Sequence, residues 1–324
     1  MTVSTAEVCF NVLHITGSHP RRVKRFRNGV AHYVFEIENT DGSLFVLRIG
    51  QPTQKLAMER GLELQLHLRS LGVPLPRILS TGVFEGRPWV AMERLPGNDL
   101  GDVLGSVPSS SLETIAQGLV EAQALVRSVG SGNKFGYGVT SEEAPYENWS
   151  SVLLDSINRS KRRIQEARFF EPDMSEAVEG WIYDFQPELD QQPPIAFLHD
   201  TTTRNVIVSE QGQLSGIVDV DDLCFGDPRY VVALTTAVLL SGGHTDFYIR
   251  RWMSLAGFCA DRLFWLYVAL FLVDLMSEHG QTFNGNVSPS TSVARARLRQ
   301  RFSSVCRLVA GDSMLSTTGE MWPT

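Results

Sequence analysis

The chain has 324 residues, 43% of them hydrophobic and 20% charged, and a formal net charge of −7 from 29 basic and 36 acidic side chains. Such a composition excludes disorder, a collagen-like repeat and a disulfide scaffold, supports a core spread over two lobes, and argues against a dedicated nucleic-acid binder. Cys9, Cys224, Cys259 and Cys306 form no CxxC pair, and no basic segment leads an apolar stretch at the N-terminus, so no signal peptide and a cytoplasmic setting are expected.

From the N-terminus, Val30 to Glu38 and Leu44 to Ile49 are rich in Val, Phe and Ile and predict two strands. The turn between them is Asn39-Thr40-Asp41-Gly42, where glycine relieves a positive-φ position. Gln54 to Ser70 carries Met58, Leu62 and Leu66 at helical spacing, and Gly72-Val73-Pro74 ends that helix. Strands are expected again near Leu79 to Phe84 and Pro88 to Glu93. After the break at Leu95-Pro96-Gly97-Asn98 the pattern becomes mainly helical. Ser111 to Val129 places Leu112, Ile115, Leu119, Ala122 and Val126 on one face, and Trp149 to Ala167 and Met174 to Leu189 follow. Short strands return at Ala196 to Leu198, Val206 to Val208 and Leu214 to Val218. From Pro228 onward the chain reads as helix. The apolar run Leu263 to Val273 is a buried core helix, because a bilayer span needs about 20 apolar residues. Residues 312–324 read as a loose tail. The expected architecture is therefore α+β and bilobal: a small sheet lobe with one helix over residues 1–95, and a larger, mainly helical lobe over 96–324. A doubly wound sheet would alternate strands and helices throughout.

Chemistry concentrates in two stretches. The first is Leu198-His199-Asp200-Thr201-Thr202-Thr203-Arg204-Asn205. The second, beyond a strand pair, is Asp219-Val220-Asp221-Asp222-Leu223-Cys224-Phe225-Gly226-Asp227-Pro228. Phosphoryl transfer needs a base or orienter for the acceptor hydroxyl and hard oxygen ligands for Mg²⁺ on the phosphates. Asp200 suits the first need. Asn205 and Asp219, brought together at the ends of one hairpin, suit the second.

These stretches resemble the aminoglycoside-phosphotransferase and choline-kinase-like family, whose loop reads HGDxxxxN and is followed by I-D-W-x-D-x-x-x-GDP. Asp200 and Asn205 match the first motif; Asp219, Asp222, Gly226, Asp227 and Pro228 match the second without a gap. Val46-Leu47-Arg48-Ile49, Gly72-Val73-Pro74-Leu75-Pro76 and the hinge Val90 to Gly97 extend the likeness over roughly residues 25–240. The resemblance implies a protein-kinase-like fold and transfer of the γ-phosphoryl of ATP or GTP, with Mg²⁺, to a hydroxyl of a small molecule that is aminoglycoside-, choline- or sugar-like and open to being cationic. It implies Asp200 as catalytic base and Asn205 and Asp219 as metal ligands. Arg48 would contact the phosphates, fixed by Glu59 or Glu63. Met92, Glu93 and Leu95 would lie at the adenine hinge, and Gly29 in the phosphate loop. The sequence departs from the pattern in two places: Leu198 stands where the family has a histidine, with His199 shifted by one, and Arg48 stands in place of a lysine, with a planar fork instead of a point charge.

Structural readings stand beside these. Asp227-Pro228 reads as a helix start and Asp221 as solvated. Arg204 fits a phosphate contact or a surface ion pair, and Arg21 to Arg27 reads as a solvated basic face. No GxSxG, HExxH or Walker A motif is present. The competing reading is a kinase-shaped regulatory protein that holds nucleotide without turnover. Neither reading calls for nucleic acid or membrane, and neither fixes an oligomeric state.

Overall fold

The computed structural model describes residues 3, 5–26, 32–283, 286–287 and 290–311. Its elements run α1 (Thr5–Thr16), β1 (Arg22–Arg25), β2 (Tyr33–Glu38), β3 (Leu44–Ile49), α2 (Lys55–Ser70), β4 (Ile78–Phe84) and β5 (Arg87–Glu93). Next come β6 (Asn98–Asp99), α3 (Leu100–Val103), α4 (Ser109–Arg127), β7 (Gly136–Gly138), α5 (Trp149–Ala167), α6 (Asp173–Asp184), α7 (Gln186–Leu189) and β8 (Ile195–Phe197). The chain continues with β9 (Val206–Val208), β10 (Leu214–Ile217), β11 (Leu223–Gly226), α8 (Arg229–Gly242), α9 (Phe247–Ala256), α10 (Arg262–Ser277), β12 (Thr282–Phe283), β13 (Asn286–Val287) and α11 (Ser292–Ala310).

The first five strands form one antiparallel sheet in the order β1-β2-β3-β5-β4. Side chains alternate across a strand, and here the alternation assigns each face. Phe35, Ile37, Phe45, Leu47, Ile49, Trp89 and Ala91 share one core with Val8 and Val12 of α1. Val90 and Met92 pack on the other face with Met58 of α2. Arg48, flanked by Leu47 and Ile49, therefore faces the α2 side. Among the described residues the N-terminal lobe thus has two α-helices where the sequence suggested one. β-branched residues in α1 (Val8, Val12, Ile15, Thr16) weaken its helical signal, and burial of Val8 and Val12 against the sheet supplies what local propensity lacks.

The basic run is largely spent within the sheet. Arg21 and Arg22 pair with Glu38, Arg22 also with Glu36, and the Arg25 guanidinium stacks 5.1 Å from the Tyr33 ring centroid. In the helical part, α10 is buried nearly all round and packs on α5, α6, α8 and α11. The single helix expected over Met174 to Leu189 is two, α6 and α7, divided at Phe185 ahead of Pro187. Two short sheets, β10-β9-β6 and β7-β11-β8, carry the chemically suggestive stretches. The 198–205 loop leaves β8, and residues 218–222 lead into β11. Pairing of Phe197 with Cys224 sets these two segments side by side. No helix among the described residues is long and apolar enough to cross a membrane. Gly29 and the 312–324 tail lie outside the described residues.

Candidate active site

The β9–β10 hairpin fixes the first pair of side chains. Val206 pairs with Ile217, and the Val218 N–H donates to the Asn205 carbonyl at 2.9 Å, which brings Asp219 beside Asn205. Asn205 Nδ2 donates to the Asp200 carbonyl at 3.0 Å, tying the loop across its own base and leaving the amide oxygen as a hard donor. The Thr202 hydroxyl donates to Asp200 Oδ1 at 3.1 Å. Asp219 has φ of 61°, a left-handed conformation uncommon for a side-chain-bearing residue but tolerated by aspartate. Its neighbours hold it there: Val218 is bonded to Asn205, and Gln65 Nε2 donates to the Val220 carbonyl at 2.8 Å.

Carboxylates crowd this corner. Burial raises the pKa of Asp219; Arg48 opposes that shift, while the charges of Asp221 and Asp200 add to it. A positive ion would relieve the crowding. Among the described residues no group of three or more His, Cys, Asp or Glu side chains could hold a metal ion. A cation at Asn205 and Asp219 would therefore complete its shell with phosphate or water oxygens, as Mg²⁺ does.

Arg48 is placed differently from the sequence expectation. Glu59 is exposed and pairs with Lys55 at 3.8 Å, and Glu63 is also exposed, so neither fixes Arg48. The carboxylate that does so is Asp221. Its Oδ1 accepts from Arg48 Nη1 at 2.7 Å and its Oδ2 from Nη2, a fork-to-fork pair, while Asp219 lies 3.5 Å from Nη2. The reading of Asp221 as solvated is corrected accordingly. Burial alone would raise its pKa, but His32 and Arg48 hold it well below the usual carboxylate range. Helix α2 contributes space in place of an acid: a Cβ on Gly61 would sit 2.9 Å from the Asp221 carbonyl oxygen. Nothing in local spacing marks Asp221, because its partner lies 173 residues away in sequence.

The remaining residues fall into place around this pair. His199 Nε2 lies 2.6 Å from Asp222 Oδ1, and its ring meets Tyr137 edge-on at 4.9 Å between centroids. Burial disfavours its charge, but Asp222, with Asp200 and Asp219, outweighs that and raises its pKa. Arg204 is held by Asp99 and Asp102, and all three line the cavity between the lobes. Asp227 is structural: its Oδ1 accepts from the Arg229 N–H at 3.0 Å, and its Oδ2 from Tyr267 at 2.9 Å.

Between the lobes lies a cavity of about 310 Å³. Val34, Val46 and Met92 line it from the sheet, Ile207 and Ile217 from the hairpin, and Leu95 from the hinge; Arg48, Asn205, Asp219, Lys24 and Arg204 are among its polar lining. Glu93 directs its carboxylate to Arg77 at 3.3 Å, and its N–H donates to the Arg77 carbonyl at 2.8 Å, so that hinge amide is already engaged.

The family model described as phosphotransferase enzyme family matches residues 22–261. The chain belongs to this family. No curated protein matches the sequence. Among solved structures, this phosphotransferase resembles a thermostable mutant of aminoglycoside phosphotransferase APH(4)-Ia in ternary complex with ADP and hygromycin B. The TM-score is 0.63 at 17% identity, covering 94% of this chain and 99% of that one. It also resembles the GDP complex of wild-type aminoglycoside 2′-phosphotransferase-IIIa, with TM-score 0.60, 19% identity and 95% and 98% coverage. A third is a putative fructosamine-3-kinase from Thermobifida fusca, with TM-score 0.61, 16% identity and 95% and 100% coverage. At these identities the likeness is one of fold: the phosphotransferase has the bilobal protein-kinase-like architecture that its sequence implied.

Proposed function

We propose that the protein transfers the γ-phosphoryl group of ATP or GTP to a hydroxyl of a small molecule. The observation that carries this reading is the convergence of Arg48, Asn205 and Asp219 on the cavity between the lobes, with Asp200 tied to Asn205 through its backbone carbonyl. Branched aliphatic side chains from both lobes offer a flat base two apolar faces. Residues 1–95 would then act as the nucleotide-binding lobe and 96–324 as the catalytic and acceptor-binding lobe. Asp200 would accept or orient the acceptor's proton. Asn205 and Asp219 would hold Mg²⁺, which supplies charge neutralisation on the phosphates. Arg48 would contact the phosphates, positioned by Asp221.

A cluster of charges of both signs lies on the far side of Asp200 from the nucleotide cavity, where an acceptor would approach. Glu278, just past α10, has its pKa pushed up to about 7 by burial and by Asp274, with Arg163 and Arg159 opposing and Asp200 adding to the rise. Arg159 of α5 pairs with Asp274 at 3.5 Å. An amine-bearing acceptor is compatible with the carboxyl groups there. Structures of similar fold with hygromycin B or named as fructosamine kinase indicate the range of acceptors to try.

The deciding experiment is ADP or GDP release by the purified protein with Mg²⁺ and a panel of aminoglycosides, amino alcohols and sugar amines. Acceptor-dependent release is the expected result. A protein that neither turns over nucleotide nor is thermally stabilised by Mg·ATP or Mg·GTP would not be this kinase, whereas stabilisation without turnover on any acceptor would favour the regulatory reading.

Asp221 provides a second check. In Asp221→Asn the amide keeps one acceptor for Arg48 but loses the ion pair. Loss of a charged hydrogen bond of this kind is worth about 1.5–3 kcal/mol, so Mg·ATP affinity measured by calorimetry should fall by roughly tenfold or more. Unchanged affinity would show that Arg48 needs no such support.

A further inference from the structure

We propose that Gln123 is a positioning residue for the catalytic loop, an inference that rests on reading Asp200 as the catalytic base. The β8–β11 ladder ends at the pairing of Phe197 with Cys224. Leu198 comes next and is 1% exposed, so its backbone groups have passed the strand ladder yet remain shielded from water. Unpaired, they would be costly. Gln123 supplies both partners: its Nε2 donates to the Leu198 carbonyl at 2.9 Å, and the Leu198 N–H donates to its Oε1 at 2.9 Å. A carboxamide is the side-chain group that presents a donor and an acceptor in one plane, as this two-sided contact requires.

Gln123 is itself 6% exposed, on a face of α4 otherwise built from Leu112, Ile115, Leu119, Ala122 and Val126. Packing alone would favour an apolar side chain at that position. Downstream, the loop is held by Asn205 on the Asp200 carbonyl and by the Gly101 N–H on the Thr203 carbonyl at 2.9 Å. Asp200 therefore sits between two anchors: the α4 carboxamide two residues before it and the hairpin amide on its own carbonyl. The upstream anchor couples the buried face of α4 to the position of the base.

The test compares Gln123→Met, which keeps side-chain length and removes both bonds, with Val126→Ala, which deletes buried methyls on the same face and leaves both Gln123–Leu198 bonds in place. Three quantities are read: Mg·ATP hydrolysis to water without acceptor, Mg·ATP affinity, and hydrogen exchange over residues 198–205. Misplacing a catalytic group by about 1 Å costs on the order of 100-fold, so Gln123→Met should lose roughly 10- to 100-fold in hydrolysis with affinity held within about twofold. Exchange over 198–205 should accelerate in the same variant. Val126→Ala should keep both hydrolysis and loop protection at temperatures where it is folded. Unchanged loop exchange in Gln123→Met overturns the proposal, as does an equal loss of hydrolysis in Val126→Ala at matched stability. Failure of the wild-type protein to bind either Mg·ATP or Mg·GTP would sink the kinase reading and this role with it. Binding with hydrolysis undiminished in Gln123→Met would sink the positioning role alone.

Discussion

Asp200→Asn should lower acceptor phosphorylation by roughly 100- to 10,000-fold, the range supplied by a positioned general base. The substitution is close to isosteric. Asparagine can still accept from the Thr202 hydroxyl, and the Asn205 contact is to the backbone carbonyl of residue 200, which is unchanged. What disappears is the capacity to take a proton and one negative charge. That charge acts on both His199 and Asp219, raising the pKa of each. In the variant Asp219 ionises more readily, so its ability to hold a cation is not impaired by this route. Thermal stabilisation by Mg·ATP should therefore persist while turnover collapses. Steady-state kinetics beside a melting curve with and without Mg·ATP separates the two effects. Full turnover in Asp200→Asn would remove Asp200 from the chemistry.

Local signals carried much of the architecture. Leu44–Ile49, Val206–Val208 and Trp149–Ala167 form the elements expected of them, since each combines a clear period with a turn or cap: Asn148 caps α5 by accepting from the Ser151 N–H. The spacing of Asp200, Asn205 and Asp219 was legible because one hairpin joins the last two. The partners of these groups were hidden. Asp221 finds Arg48 across 173 residues and Gln123 finds Leu198 across 75, distances over which no periodicity operates. Glu59 and Glu63 misled for a related reason. Spacing along α2 identifies one helix face, but which face meets Arg48 depends on how the helix docks. The docked face presents Met58, Gly61 and Gln65.

Asp227→Ala should produce the largest stability loss, about 3 kcal/mol, near the lower end for breaking a buried ion pair by removing one partner. Asp227 is 3% exposed and joins three elements. Its oxygens accept from the Arg229 backbone and guanidinium at the start of α8 and from Tyr267 of α10. Tyr267 in turn accepts from Trp149 Nε1 at 3.0 Å, where α5 begins. Gly226 belongs to the same joint: a Cβ there would meet the Trp149 ring at 2.3 Å, so glycine is what lets β11 pass the indole. Removal of the carboxylate leaves the Tyr267 hydroxyl and the Arg229 N–H without this acceptor. Arg229 keeps Asp261 at 2.7 Å, which limits the loss. Asp227→Asn, which retains an acceptor oxygen, should cost less than the alanine change. Urea denaturation measures both. The distinguishing feature is activity: at temperatures where Asp227→Ala remains folded, its turnover per folded molecule should stay within about an order of magnitude of wild type, unlike Asp200→Asn. A loss under about 1 kcal/mol would mean that the Trp149–Tyr267–Asp227 chain orders these helices without stabilising them.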